Sequence, residues 1–255
     1  MLSAKSTLKN GEVVKMGKEN IGMEPEDHNE TLKQDEKVVS STDNEEKDAK
    51  DIHEETEEEE KTLEELKEEN KILSDKHQQA IWLPGNHDDL LLMKKHLSDF
   101  PYSPIYQDKH WAILMLDSSV AGQPGGEISS QQLVQLEINL ERLKDMHILV
   151  AMHHSPVSVN SRWLDEHQIS NHQKLHHLLA AHGNVKAVIT GHIHQQYEIN
   201  WRGIQVYSTP STCFQFQENS DQFALSNKDP AYRWLDLHPD GLIETGIKRV
   251  DFLKG

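Results

Sequence analysis

The sequence predicts an α/β layered domain with a mixed sheet, and three observations carry that prediction. Short continuous apolar runs recur, Ala112 to Leu116 and Ile148 to Met152 among them. Segments with apolar residues at helical spacing lie between them. The C-terminal part then alternates apolar and polar residues around turn dipeptides, as antiparallel hairpins do. Buried strands alternating with helices, followed by hairpins, make a layered α/β domain.

Each element has its own signal. Ile81 to Leu83 reads as a brief strand running into the turn Gly85-Asn86-His87-Asp88. Asp89 to Leu97 reads as a helix. "HWAILMLDS" (110–118) is a buried strand, and "GQPGGE" (122–127) is a turn by its Gly and Pro content. Ser129 opens a helix to about Asp145, with Leu133, Leu136, Leu140 and Leu143 at helical spacing. "HILVAMHHSP" (147–156) is a second buried strand. A helix follows from about Asn171 to His182, which Gly183 can terminate in a left-handed conformation. "VKAVITGHIH" (185–194) is the third buried strand. Hairpins are expected around Arg202-Gly203 and Asp240-Gly241. No internal repeat is visible.

Composition divides the 255 residues unevenly. Residues 1 to 77 hold 12 Lys/Arg against 24 Asp/Glu and no aromatic residue, whereas all fifteen Phe, Trp and Tyr lie in residues 78 to 255. Dense charge with little apolar surface cannot offset chain entropy. Residues 1–60 are therefore expected to be an acidic disordered segment, 61–77 a short charged helix, and 78–255 the folded domain. Leu63, Leu66, Asn70 and Leu73 follow a 3-4-3 spacing, a possible dimerising or protein-partner-binding seam, although two heptads also fit a short exposed helix.

The net charge of −17 excludes a nucleic-acid-binding face, because phosphate contacts need Lys and Arg. One cysteine, Cys213, excludes a disulfide framework and a Cys-based zinc site. The N-terminus has no apolar stretch of the signal-peptide kind, and no apolar run spans a membrane. A cytoplasmic location is the expectation.

The chemistry sits in the turns that follow the strands. Asn86-His87, His153-His154 and His192-Ile193-His194 each follow a buried strand. In open α/β sheets, sites form at the carboxyl ends of strands. Imidazole nitrogen and amide oxygen suit Mn, Fe or Zn, and a donor set without thiols points to catalysis rather than a structural zinc. His172, His176 and His177 share one helix with no nearby carboxylate and read as a polar helix face.

These motifs resemble a known family. Gly85-Asn86-His87-Asp88, "HHSP" and Gly191-His192-Ile193-His194 resemble the last three motifs of the calcineurin-like metallophosphoesterases. "WLPGNHD", "LMLDS", "GGEIS", "SRWLDEHQISN", "GHIHQ", "TPSTCFQF" and "RWLDLHPDG" resemble, in order, the bacterial class III 3′,5′-cyclic-AMP phosphodiesterases. The resemblance covers about residues 78 to 250. It implies a metallophosphoesterase-type layered β-sandwich with flanking helices, and a site with two divalent cations that clamp a phosphate. It further implies that Asn86, His153 and His192 bind one cation and His194 the other. His87, helped by Asp88, would donate to the phosphate or leaving oxygen. Asn86, His87, His154 and His194 would contact the substrate, a cyclic nucleotide or other phosphodiester. The ligand after the second strand is His153 or His154, with strand-end position favouring His153. Trp163, Asp165 and Asn171 lie in a loop that the resemblance brings towards the nucleotide.

The sequence departs from the family pattern in its first two motifs, Asp-x-His and Gly-Asp. No Gly-Asp dipeptide occurs. Two Asp-x-His triplets precede Ile81. Asp51-Ile52-His53 lies in a charge run with no strand before it. Asp75-Lys76-His77 follows "ILS", yet only Gln78, Gln79 and Ala80 separate it from the next strand, where a parallel crossover needs about a dozen residues or more. The fold expected is thus incomplete: two-thirds of a phosphodiesterase joined near Gln78 to an acidic segment, with one cation or none in place of two. Two function classes remain open. One is a metal-dependent phosphodiesterase. The other is a catalytically inactive remnant or fusion product acting as a nucleotide- or metal-binding or interaction module.

Overall fold

In the computed structural model, residues 80–250 are described, apart from Asp99 and Pro101. The acidic segment, the 61–77 helix and Asp75-Lys76-His77 lie outside the described residues. A six-stranded sheet forms the centre, in the order β1-β2-β3-β4-β6-β5. Its strands are β1 (Ile105–Gln107), β2 (Trp111–Leu116), β3 (His147–Met152), β4 (Val185–Thr190), β5 (Glu198–Trp201) and β6 (Ile204–Ser208). β2, β3, β4 and β6 run parallel, and β1 and β5 close the two edges antiparallel. The mixed sheet is therefore as expected.

Both faces of the central strands are covered, which explains why they read as unbroken apolar runs rather than alternating ones. Ala112, Leu114, Leu116, Ile148, Val150, Met152 and Val188 face α2 (Ser130–Arg142) and α4 (His172–Ala180), meeting Leu136, Leu140, Leu175 and Leu179. Trp111, Met115, Leu149, Ala151, Ala187 and Ile189 face the other way and pack with Leu83 and Leu235. Leu235 belongs to the hairpin β9 (Ala231–Leu237) and β10 (Ile243–Arg249). The layers are helices, sheet and hairpin.

One buried cation joins the hairpin to the sheet. The fully buried Arg233 of β9 donates from Nε to Ser208 O (3.0 Å), and from Nη1 to Glu198 Oε1 (3.0 Å) and Thr245 Oγ1 (3.0 Å). A buried guanidinium is tolerated when its donors are satisfied in this way.

Local signals acted as expected at most boundaries. Asp89 caps α1 (Leu90–His96), its carboxylate accepting from Leu91 N and Leu92 N. Ser129 caps α2 through Gln132 N. Arg202 and Gly203 have φ of 49° and 99°, the two positive values that a two-residue hairpin of matching twist requires.

Three expectations need correction. Ile81–Leu83 is not a strand. It is an extended segment whose side chains alternate, Ile81 and Leu83 towards the sheet and Trp82 towards Met93 and Leu97, and no described strand pairs with it. α4 ends at Ala180, and Gly183 does not take a left-handed conformation; among the described residues the positive-φ glycines are Gly122, Gly203 and Gly241. The exit from α4 is instead made by Asn184, whose Nδ2 donates to Leu143 O (3.0 Å) and Met146 O (2.9 Å). Finally, α3 (Arg162–Asp165), β1, and the two-residue strands β7 (Gln215–Phe216) and β8 (Leu225–Ser226) were not foreseen. They are too short for a periodic signal.

Candidate metal centre

Parallel strands bring their carboxyl ends to one edge, and the turns after β3 and β4 meet there. The turn at Gly85–Asp88 reaches the same place. His153 Nε2 lies 3.0 Å from Asn86 Oδ1 and 3.1 Å from His192 Nδ1, and His192 Nδ1 lies 3.2 Å from Asn86 Oδ1. Three lone-pair-bearing atoms from three separate segments thus form a near-equilateral triangle.

The backbone holds this triangle. Gly191 and His192 both donate their N–H to His153 O, at 3.0 Å each. Asp88 Oδ2 accepts from Gly85 N (2.7 Å), closing the turn that presents Asn86. A Cβ on Gly85 would stand 2.9 to 3.1 Å from three atoms of the His153 ring, so the turn can approach only without a side chain there.

Electrostatics keeps the rings neutral. Burial, then the neighbouring His192 and His154, pushes His153 down to about 2. Burial, then His154 and His167, pushes His192 down to about 3. Neutral imidazole is the form that ligates a metal. His192 Nε2 is buried without a hydrogen-bond partner.

His154 is oriented differently from its neighbour. It is fully buried, with Nδ1 2.8 Å from Ser118 Oγ and Nε2 3.1 Å from Pro124 O. Burial foremost lowers it to about 4, partly offset by the Pro124 carbonyl. A Cβ on Gly126 would meet its ring at 2.6 Å. The nearest ring nitrogens of His153, His154 and His192 can be chosen within 4.8 Å of one another. With both nitrogens of His154 already engaged, it acts as the floor beneath the triangle.

The remaining candidates divide between rim and scaffold. His194 has its Nδ1 3.1 Å from Phe214 O and lies flat on Phe216 at 4.5 Å and 9°, and burial foremost lowers it to about 4. His87 is exposed beside Asn86. Asp165 is a loop brace, with Oδ1 accepting from Val159 N (2.7 Å) and Oδ2 from Ser158 Oγ (2.6 Å). Asn171 pairs with the backbone of Ile128 at 3.1 and 2.6 Å. Trp163 packs edge-on to Phe216 at 4.8 Å. The sequence reading missed Ser118 and His167, whose ring centroid is 5.5 Å from that of His192. Ser118 carries a usable signal, a polar residue just beyond a buried strand; His167 carries none.

A sequence profile of the family described as calcineurin-like phosphoesterases matches residues 48–196, more than half of the chain. The chain belongs to this family. Among relatives of this chain, the 3′,5′-cyclic adenosine monophosphate phosphodiesterase CpdA of Haemophilus influenzae is 40% identical over 174 residues, 67% of this chain and 64% of that protein. The CpdA of Escherichia coli K12 is 40% identical over 174 residues, 67% of this chain and 63% of that protein. The 3′,5′-cyclic-nucleotide phosphodiesterase alr5338 of Nostoc is 37% identical over 173 residues. The chain thus spans just under two-thirds of the length of these first two relatives.

The donor set fits one divalent cation. Two ligand atoms about 2.1 Å from a common centre stand about 3.0 Å apart at right angles and about 3.4 Å apart in a tetrahedron. The observed 3.0 to 3.2 Å lies between these. A second cation finds no comparable set among the described residues, where the one cluster of potential ligands is histidine alone. No helix among the described residues is long and apolar enough to cross a membrane.

Proposed function

We propose that this chain is a metal-dependent phosphodiesterase acting on 3′,5′-cyclic AMP or a related phosphodiester, and that Asn86, His153 and His192 hold its cation. The convergence of their three donor atoms within 3.2 Å carries this reading. A divalent cation at that point supplies positive charge beside the phosphate and lowers the pKa of a bound water. His87, exposed next to Asn86, donates to a phosphate or leaving-group oxygen. Asp88 positions it indirectly, by fixing the turn through Gly85 N. His194, whose Nδ1 is occupied by Phe214 O, offers its Nε2 towards a second cation or the phosphate. His154 and Ser118 keep the end of β3 in place.

A second reading is favoured by the charge of the donor set. The cluster among the described residues is neutral, with no carboxylate to compensate a dication. On this reading the chain binds a metal and a nucleotide without turnover. Purified chain supplied with Mn²⁺, assayed against cyclic AMP and bis(4-nitrophenyl) phosphate alongside metal content by atomic emission, separates the two. Turnover lost in His153→Ala and Asn86→Ala supports the hydrolase. About one metal per chain without turnover supports the binding module. Neither metal nor turnover overturns both. Metal content of the chain as purified, before Mn²⁺ is added, distinguishes Fe, Mn and Zn.

A further inference from the structure

Away from the triangle, a cavity of about 280 Å³ lies between the loop after β3, the first turns of α4 and the β5–β6 hairpin. None of Asn86, His153 and His192 lines it. Arg202, in its wall, sits in the turn that leads into β6, whereas Ser208 at the other end of β6 pairs with Thr190, next to the triangle. The volume lies just under the range of ligand sites, about 300–1,000 Å³, and so suits a single small molecule.

Hydrogen bonds behind the walls fix what the cavity presents. The Asp165 carboxylate accepts from Ser158 Oγ (2.6 Å) and from Gln168 Nε2 (3.2 Å). Ser158 has thereby spent its one proton, and Gln168 is turned so that its Oε1 is left as an acceptor. His172 Nδ1 faces Ile169 O at 3.0 Å. A carbonyl only accepts, so in the neutral ring Nδ1 carries the proton and Nε2 the lone pair. Gln168 Oε1 and His172 Nε2 have no partner among the described residues, and neither is closed off from solvent. His176 Nε2, in contrast, is buried and out of a ligand's reach. The lining therefore offers three acceptors that lack donors.

Its charge is of one sign. Arg202 is exposed and makes no hydrogen bond or ion pair among the described residues. Its backbone is held at φ 49°, and Gly203 N donates to Asn200 Oδ1 (2.8 Å) across the same turn. No Asp or Glu lines the cavity, in a chain with 43 of them and a net charge of −17. A guanidinium unopposed by carboxylate calls for an oxyanion. Acceptors without donors call for hydroxyl groups. Trp201 adds an apolar wall for the C–H groups between them.

We propose that this cavity binds a small polyhydroxylated anion, a sugar acid or a sugar phosphate. Arg202 takes its charged group, and Ser158, Gln168 and His172 accept from its hydroxyls. The proposal is independent of the phosphodiesterase reading, since no residue of the triangle takes part.

The test uses ligands that carry all or half of this chemistry. The full chain, without added metal, is titrated calorimetrically with gluconate and glucose 6-phosphate. Glucose, which lacks the charge, and acetate and inorganic phosphate, which lack the hydroxyls, are the controls. The expected result is that at least one sugar anion binds about ten-fold or more tighter than its controls, the worth of a hydrogen bond to a charged group. The tighter of the two identifies the charged group as carboxylate or phosphate. Arg202→Gln, and Gln173→Glu, which sets a carboxylate in the wall, each lower that affinity about ten-fold or more. Arg202→Lys, which keeps the charge, loses less. Both positions are exposed, and unchanged thermal melting and Mn²⁺ affinity confirm that fold and triangle are intact. No binding of either sugar anion at millimolar concentration overturns the site. Glucose binding as tightly as the sugar anions overturns it, and so does acetate or phosphate matching its sugar counterpart. Affinity unchanged in both Arg202→Gln and Gln173→Glu places the ligand elsewhere and overturns it too.

Discussion

Two groups of three histidines occupy this molecule, and they behave differently. His153, His154 and His192 lie at the carboxyl ends of β3 and β4. His172, His176 and His177 lie on α4. In the first group two rings converge with Asn86 within 3.2 Å. In the second each ring has its own surroundings: His172 Nδ1 is 3.0 Å from Ile169 O, His176 stands edge-on to Trp201 at 4.8 Å, and His177 is exposed. The difference lies in the backbone. Residues four apart on a helix share a face but stand one turn apart, and those one or five apart point to different sides, so the three rings do not meet. Parallel strand ends aim independent turns at a shared point. Metal-site geometry is reached more readily by separate segments converging than by one segment rich in ligands.

Removing members of the two groups should separate them most strongly. His192→Ala or His153→Ala is expected to lower Mn²⁺ affinity by more than about 100-fold, since even supporting residues around a metal are worth about 10–100-fold. His172→Ala and His177→Ala should leave it unchanged. Titration calorimetry on the purified chain reads both. Equal losses in both groups would erase the contrast and remove the strand-end centre.

The comparison can also be broken through glycine. Gly126→Ala would place a methyl group 2.6 Å from the His154 ring and 2.8 Å from Ser118 O. Neither can yield cheaply, because the ring is fully buried and the oxygen belongs to the backbone. Overpacking of this kind costs about 1–3 kcal/mol, which for a domain of this size is a fall in Tm of about 2–4 °C per kcal/mol. Gly183→Ala, where nothing lies within 4 Å, is the control and should be close to neutral.

Acid should act on the strand-end group through the same burial. His153, His192 and His154 are depressed to about 2, 3 and 4 from an ordinary 6.5. Depressed folded values mean that the unfolded chain binds more protons once the pH falls below about 6.5. The stability these neutral rings contribute is thus fully present above pH 6.5. It is lost progressively as the pH falls towards the folded values, at up to about 1.4 kcal/mol per pH unit for each ring. Denaturant unfolding of metal-free chain between pH 7.5 and 5 measures the slope, and His154→Gln should reduce it. A flat profile would mean that the rings are hydrated, contrary to their burial.

Much of this arrangement was legible before the structure. β2 and β3 could be read because covering on both faces leaves at least five apolar residues in a row, β4 from the shorter run Ala187 to Ile189, and the turn at Arg202-Gly203 because its residue types suit positive φ. His153 and His192 meet because the ends of β3 and β4 share an edge, whereas the place of Asn86 beside them was implied by the family resemblance, since no strand precedes it. What could not be read is which way consecutive side chains turn once a strand has ended. His153 and His154 differ by one position, yet one joins the triangle and the other points beneath it, a choice made by Ser118, Pro124 and Gly126, all distant in sequence. Likewise the Trp163–Phe216 contact unites segments more than fifty residues apart through elements of two to four residues, too short to leave a period. Ile81–Leu83 has the apolar run of a buried strand but no neighbour to pair with among the described residues, and pairing is a property of the partner.

The smallest expected effect belongs to the helix group itself. His176 gives its ring to Trp201 at 4.8 Å and 68°, and its Nε2 is buried without a partner. Replacing it with leucine removes an unsatisfied polar atom while keeping apolar contact with the indole. An aromatic pair of this geometry is worth about 0.5–1.5 kcal/mol beyond its area, and an unsatisfied buried polar atom costs about 1–3 kcal/mol. The two terms oppose each other, and His176→Leu should therefore be neutral or slightly stabilising in a thermal melt, with metal affinity unaltered. A clear loss of stability would show that Nε2 is bonded through water in solution. A loss of metal affinity would tie α4 to the centre and reverse the distinction between the two groups.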